Sequence, residues 1–205
     1  MGNLITDGLA LRKWTPGMPN TYLHRKVAER WRGEALQSFA GNRQTDQGDM
    51  HEEQARKFFA SLLEADIEQI GGIESDDGRL WCSPDGLIGE SVGLEIKCPN
   101  CDTHVGWLLG GGVPEEHMLQ VQFSLWVSGF SEWQFLSYCK GFPHLAVRVT
   151  PDKDIFDLMT EAVGVFNSRL DLAFAVLVEL NGGPPPERKP FVESPPEADD
   201  VGIIP

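Results

Sequence analysis

Two short segments with strand character, Leu80–Ser83 and Gly93–Lys97, lie in the middle of this chain, between segments whose apolar residues have helical spacing. Within the second segment, Glu95 and Lys97 are two residues apart. Successive side chains of a strand alternate between its faces, so these two polar side chains project from the same face. Ile96 between them should point the other way, into the core. The pattern predicts a strand with an ionisable pair on one side and a buried side chain on the other.

A third ionisable residue, Asp85, follows Pro84 at the end of the first strand-like segment. Magnesium prefers oxygen ligands, often one or two carboxylates with water and substrate phosphate. A divalent ion held in this way can activate water and stabilise charge during phosphodiester hydrolysis. Asp85, Glu95 and the carbonyl of Ile96 are therefore candidate metal ligands, and Lys97 is a candidate to orient the attacking water or to offset developing charge. The alternative interpretation of this short motif is a turn followed by a surface strand.

The apolar spacing elsewhere predicts further helices and strands. Thr21 can cap the first helix, Gly41–Gln47 reads as a polar loop, and Asn181-Gly182-Gly183 should end the last helix. The predicted helices are Tyr22–Leu36, Asp49–Glu64, Glu115–Ser128 and Asp152–Leu180, and the other predicted strands are Ile67–Ile73, Trp133–Tyr138 and Leu145–Thr150, the last two as a hairpin.

Length and composition are those of one soluble globular domain, because the chain has 205 residues, 41% hydrophobic and 23% charged. We expect a single domain over residues 1–183 with an irregular arm over 1–20, followed by a proline-rich extended or disordered tail over 184–205. No apolar stretch is long enough to span a membrane, and the N-terminus lacks a signal-peptide layout, so a cytoplasmic location is expected. Four cysteines stand at 82, 98, 101 and 139; one Cys98-x-x-Cys101 spacing is weak evidence for a metal, and buried or incidental cysteines are favoured.

The region around the candidate site closely resembles the active-site block of the lambda exonuclease and YqaJ-like viral recombinase family, within the PD-(D/E)XK nuclease superfamily. The resemblance rests on several blocks in the same order. These are Tyr22-Leu23-His24 with Ala28-Glu29, Gly48 with Glu52 and Ala55-Arg56, Cys82 to Leu87, Gly93 to Pro99, and Met118 to Val127 with its Gln-Val-Gln helix.

The resemblance implies an α/β fold with a restriction-endonuclease-like core, in which helices flank a central mixed β-sheet. It implies that Asp85, Glu95 and the Ile96 carbonyl bind Mg²⁺, for which Mn²⁺ is expected to substitute. Lys97 would be catalytic, Glu52 would act at the metal or its waters, and Gln120 would contact the reacting centre. Without the resemblance, Glu52 reads as a solvated partner of Arg56 and Gln120 as a polar flank of a helix.

The implied activity is 5′→3′ digestion of one strand of double-stranded DNA from its ends, which exposes single strands for phage-type recombination. The implied assembly is a homotrimeric ring, with a single-strand annealing protein as partner, in the cytoplasm of a bacterial host and encoded by a phage or prophage. A ring also accommodates the net charge of −14, because only its channel needs to be basic.

One departure from the family concerns the DNA end. The family's arginine-bearing N-terminal stretch and its Ile-Thr-x-Ser element bind the 5′ phosphate, whereas here Ile5-Thr6-Asp7-Gly8 is at most a remnant. Two other functions stay open: a PD-(D/E)XK endonuclease of restriction or repair type, and a non-catalytic module that binds DNA or protein. The candidate replacements for the missing arginine are Arg12, Lys13, Arg25 and Arg32.

Overall fold

The structure, a computed structural model, describes residues 20–36 and 43–186, with side chains described for 21–36 and 50–186. The chain divides into two compact units. The described residues of Ser38–Gly164 form one unit, and those of Met1–Gln37 and Val165–Pro205 form the other. The predicted arm over 1–20 and the predicted tail over 184–205 lie almost entirely outside the described residues.

The described part of the chain begins with two helices and continues with five strands, two helices, two strands and a last helix. In order they are α1 (Asn20–Arg32), α2 (Arg43–Leu63), β1 (Ile67–Glu68), β2 (Ile73–Glu74), β3 (Trp81–Cys82), β4 (Gly86–Ile88), β5 (Val92–Lys97), α3 (Cys101–Gly110), α4 (Glu115–Ser128), β6 (Glu132–Ser137), β7 (Leu145–Val149) and α5 (Lys153–Asn181).

Five of the strands form one sheet in the order β1-β4-β5-β6-β7. β5 and β6 are parallel, while the other three neighbouring pairs are antiparallel. The parallel pair needs a long crossover, and α3 and α4 supply it. β2 and β3 form a separate antiparallel hairpin. The predicted α/β fold with a central mixed sheet flanked by helices is therefore confirmed.

The two faces of the sheet bury different apolar clusters. On one face, Ala55 and Phe59 of α2 pack against Leu94, Ile96 and Leu136. On the other face, an apolar cluster joins α4 to β6 and β7. Its buried members are Cys82, Val121, Leu125, Val127, Trp133, Phe135 and Val149. Because side chains alternate along β5, burial of Leu94 and Ile96 against α2 directs Glu95 and Lys97 to the α4 face.

The second unit is built on α1 and the C-terminal part of α5. Tyr22 packs on Phe166, with ring centroids 5.6 Å apart, and Trp31 packs on Phe174 at 5.8 Å. Arg30 lies over the Phe174 ring at 4.4 Å. These contacts explain the apolar spacing of α1, which serves helix packing.

The structure confirms the predicted bounds of α4, Glu115–Ser128. Glu115 and Glu116 lie in the first turn, where the helix dipole favours negative charge, and Gly129 ends the helix with φ 69°. Three predictions were wrong: α1 ends at Arg32 and not at Leu36, α2 begins at Arg43, within the predicted loop, and the predicted strand Ile67–Ile73 is split between β1 and β2. β4 and α3 were not predicted. No helix in the described part of the chain combines the length and hydropathy that crossing a bilayer requires.

Candidate active site at the end of β4 and β5

Asp85 immediately precedes β4, and its backbone already pairs with β5. Its amide donates to the Leu94 carbonyl at 2.9 Å. One carboxylate oxygen, Oδ2, accepts from the Ile96 amide at 2.6 Å. Gly86 follows because a Cβ there would meet the Ile67 side chain of β1 at 2.5 Å. The Asp-Gly pair thus attaches the carboxylate to β5 and lets β1 approach the sheet.

β5 places Glu95 and Lys97 together, as the sequence predicted. Glu95 is only 1% exposed, and the Lys97 side chain is 27% exposed. The Lys97 ammonium forms an ion pair with Oε1 of Glu95. Ile96 is 4% exposed in the core between them, which confirms its predicted direction.

The Ile96 carbonyl points to the side of β5 on which Asp85 lies. Within an extended strand, the N–H and C=O of one residue point to the same side. The Ile96 N–H points to Asp85, so its C=O lies on that side as well. The β4–β5 ladder registers Gly86 with Leu94, and Ile96 is two residues beyond that pair. A ligand at this edge could therefore meet Asp85 and the Ile96 carbonyl together.

The carboxylates of Asp85 and Glu95 lie close together where water has little access. Burial and, after it, the negative charge of Asp85 raise the pKa of Glu95 to about 7, against the lowering effect of Lys97. Burial also raises the pKa of Asp85, although the Ile96 amide, Lys97 and Arg56 oppose it. Adjacent buried carboxylates disfavour each other's ionisation. A bound cation would relieve both the repulsion and the desolvation.

The donor set fits a hard divalent ion such as Mg²⁺. Among the described residues, no three His, Cys, Asp or Glu side chains are grouped to hold a metal. A cation at this edge would be held by Asp85, Glu95 and the Ile96 carbonyl, with further positions left to water and phosphate. Magnesium commonly binds in this way, through few protein oxygens.

Arg56 joins α2 to this edge. The sequence indicated Arg56 as a partner of Glu52 but not as a contact of Asp85. The Arg56 side chain is 10% exposed and donates to the Asp85 carbonyl at 2.6 Å through Nε. Nη2 donates to Glu52 at 2.5 Å. Glu52 is close enough for its charge to raise the pKa of Glu95. Glu52 is therefore both the ion-pair partner of Arg56 and a neighbour of the candidate site.

α4 covers the same face with His117, which sequence reasoning did not single out. The imidazole stacks on Phe135 with centroids 5.8 Å apart, and Phe135 is the β6 residue in register with Glu95. Partial burial lowers the pKa of His117, and the positive charge of Lys97 lowers it too. His117 therefore borders the site, and its lowered pKa favours the neutral imidazole.

The two glutamines of α4 differ. Gln120 is exposed, and the hydrogen bonds described for the site do not include it, so its role stays a prediction. Gln122 is 2% exposed, donates to the Thr150 carbonyl at 2.9 Å and accepts from the Asp152 amide at 2.9 Å. The second glutamine of the Gln-Val-Gln segment thus anchors the start of α5.

Residues 5–131 match the family described as YqaJ-like viral recombinase domain, which is more than half of the chain. The chain belongs to this family. The matched range contains every residue of the candidate site, from Glu52 to Gln120, and ends before β6.

Solved structures share the fold of this YqaJ-like domain at low identity. LHK-Exo, an alkaline exonuclease from Laribacter hongkongensis, matches in its complex with dAMP with a TM-score of 0.70 at 23% identity, over 87% of this chain and 91% of that one. A phage-related exonuclease from Haemophilus somnus 129PT matches with a TM-score of 0.51 at 14% identity, over 79% and 82%. No curated protein is significantly similar in sequence.

Proposed function

We propose that this YqaJ-like domain is a metal-dependent deoxyribonuclease. The observation that carries the proposal is the buried Glu95 beside the partly buried Asp85, next to the Ile96 carbonyl and the Lys97 ammonium. Removing two mutually repelling carboxylates from water is costly for folding, and a bound cation would offset that cost. Bound there, Mg²⁺ would polarise the scissile phosphate and lower the pKa of water. Mn²⁺, also an oxygen-seeking ion, is proposed to substitute.

Each residue of the site has a part in the proposed chemistry. Asp85, Glu95 and the Ile96 carbonyl hold the ion, and the Ile96 amide orients the Asp85 carboxylate. Lys97 lies next to Glu95 and is partly exposed, so its ammonium can position the attacking water or stabilise negative charge on the phosphate. Arg56 holds the Asp85 carbonyl in place, and Glu52 can orient water near the ion. Gln120 is proposed to contact the reacting DNA from α4.

The proposed reaction is 5′→3′ removal of nucleotides from one strand at a double-stranded DNA end, which exposes single strands for annealing. The family membership supports the recombination role. Two neighbours of the same fold are exonucleases, and one was crystallised with dAMP, a deoxynucleoside monophosphate of the kind that such digestion releases. We further propose a homotrimeric ring and a single-strand annealing partner, since a ring allows a basic channel in a chain with net charge −14.

Linear and covalently closed circular duplexes with Mg²⁺ test this function. The wild type should digest linear DNA and leave circles intact. Lys97→Ala should lower the rate by about 100-fold or more. Lys57→Ala is the matched control, because Lys57 is 75% exposed and paired with Glu53 on the surface of α2. Equal hydrolysis by the Lys97 variant would refute the mechanism, and cleavage of circles would indicate an endonuclease.

Strand polarity needs separate substrates. Duplexes labelled at either end of one strand should release labelled mononucleotide early only from the 5′ end. Early release from the 3′ end would refute the proposed direction. Comparing 5′-phosphate with 5′-hydroxyl ends would measure how much this chain depends on the terminal phosphate.

A further inference from the structure

Two free cysteines face each other beside the carboxyl ends of the parallel strands β5 and β6. Cys101 begins α3, and its Sγ lies 2.9 Å from Sγ of Cys139, which follows β6. In the sequence, the cysteine nearest to Cys101 is Cys98. The structure instead pairs Cys101 with a cysteine that is distant in sequence.

The sheet register explains this meeting. Lys97 is in register with Ser137, and the Tyr138 amide donates to the Lys97 carbonyl at 2.9 Å. The segments that leave the two strands therefore start from the same edge. Cys101 is four residues beyond Lys97, and Cys139 is two residues beyond Ser137.

A buried histidine holds both segments in place. His104, on the first turns of α3, is 0% exposed. Its Nδ1 pairs with the Ser137 hydroxyl at 2.7 Å, and its Nε2 pairs with the Pro143 carbonyl at 2.8 Å. The Phe142 amide also donates to the Cys139 carbonyl at 3.1 Å. Hydrogen bonds therefore fix the backbone segments that carry Cys101 and Cys139.

We propose that Cys101 and Cys139 form a reversible disulfide. A disulfide has an S–S length of about 2.05 Å, so the sulfurs need to approach by about 0.9 Å from their present 2.9 Å. Small side-chain rotations can supply such a shift.

The unequal exposure of the two thiols sets the order of the reaction. Cys101 is exposed, and Cys139 is 9% exposed. The Cys101 thiolate attacks a low-molecular-weight disulfide such as oxidised glutathione, whose S–S bond breaks and releases one glutathione. The Cys139 thiolate then attacks the Cys101 sulfur and displaces the second glutathione. Two electrons and two protons pass from the protein to oxidised glutathione, which gives two molecules of reduced glutathione.

The bond would close a ring containing α3, α4 and β6. A disulfide stabilises the folded protein by lowering the conformational entropy of the unfolded chain, and this effect grows with the length of the enclosed loop. For a loop of about 40 residues in a protein of this size, the expected rise in melting temperature is about 10 °C. The same bond would hold the segment after Lys97 against the end of β6.

Equilibration of the full chain in glutathione buffers of increasing oxidation tests the proposal. Remaining thiols are alkylated after denaturation and located by peptide mass mapping. The wild type and Cys98→Ser should each lose two thiols as one Cys101–Cys139 bond and should melt about 10 °C higher when oxidised. Cys101→Ser and Cys139→Ser should form no internal bond and gain no melting temperature. These measurements do not depend on nuclease activity.

Three results would overturn the proposal. The wild type could keep all four thiols in oxidised glutathione, it could form a Cys98–Cys101 bond, or it could stop at glutathione attached to Cys101. If the buried Cys139→Ser substitution prevents folding, Cys101→Ser carries the comparison alone, because its thiol is exposed.

Discussion

Replacing Glu95 by glutamine should stabilise the metal-free protein at alkaline pH while removing its metal response. The pKa of Glu95 rises from 4.5 to about 7 in the folded protein. At about 1.4 kcal/mol per pKa unit, ionised Glu95 lowers the free energy of unfolding by about 3 kcal/mol above pH 7. Glutamine keeps the shape and carries no charge, so it removes this cost.

The sign follows from proton binding. Between pH 4.5 and about 7 the folded protein binds more protons at Glu95 than the unfolded chain does, so wild-type stability falls as pH rises through this range. Glu95→Gln should lack this part of the pH dependence. Its advantage should be small at pH 5 and reach about 3 kcal/mol at pH 8, or a melting temperature higher by about 6 to 12 °C.

Urea unfolding of both proteins at pH 5 and pH 8, in a chelator, measures the difference. Glu53→Gln is the matched control: Glu53 is exposed and its pKa is lowered by its hydrogen bond to Lys57, so no gain at pH 8 is expected. Mg²⁺ should stabilise the wild type at pH 8 and leave Glu95→Gln unchanged. A Glu95→Gln protein equally destabilised at both pH values would refute the argument that burial and repulsion strain this site.

Further predictions concern the groups around the site. Arg56→Leu should lower the free energy of unfolding by about 2 kcal/mol or more in urea titrations, because the Asp85 carbonyl and Glu52 lose a buried donor; an unchanged midpoint would contradict this. His104→Leu should lower the free energy of unfolding by about 2 to 4 kcal/mol, since the Ser137 hydroxyl loses its buried partner. A loss below about 1 kcal/mol would show that the His104–Ser137 hydrogen bond is dispensable. The rise in melting temperature caused by Mg²⁺ should be larger at pH 8 than at pH 6, because protons compete for Glu95, whose pKa is about 7; an equal rise at both pH values would count against Glu95 as a ligand.

Local patterns were sufficient for elements with strong periodicity and marked ends. α4 was predicted with its bounds because Pro114 precedes it and its apolar residues, such as Leu119, Phe123 and Trp126, keep helical spacing. β4 is only three residues long, Gly86–Ile88, and it forms because it lies between β1 and β5. α3 has glycines at 106 and 110 and weak amphipathicity, so it is defined by the crossover from β5 and not by its own pattern.

The site shows the same division. The Glu95-Ile96-Lys97 alternation places two side chains on one face through strand geometry alone, so the sequence by itself determined that Glu95 and Lys97 lie together and that Ile96 is buried. Only the tertiary structure decided that Arg56 holds the Asp85 carbonyl, that His117 borders the site, and that Cys101 faces Cys139 and not Cys98. The physical reason is range: a strand's alternation is set by neighbouring residues, whereas these contacts depend on which strands and helices the sheet brings side by side.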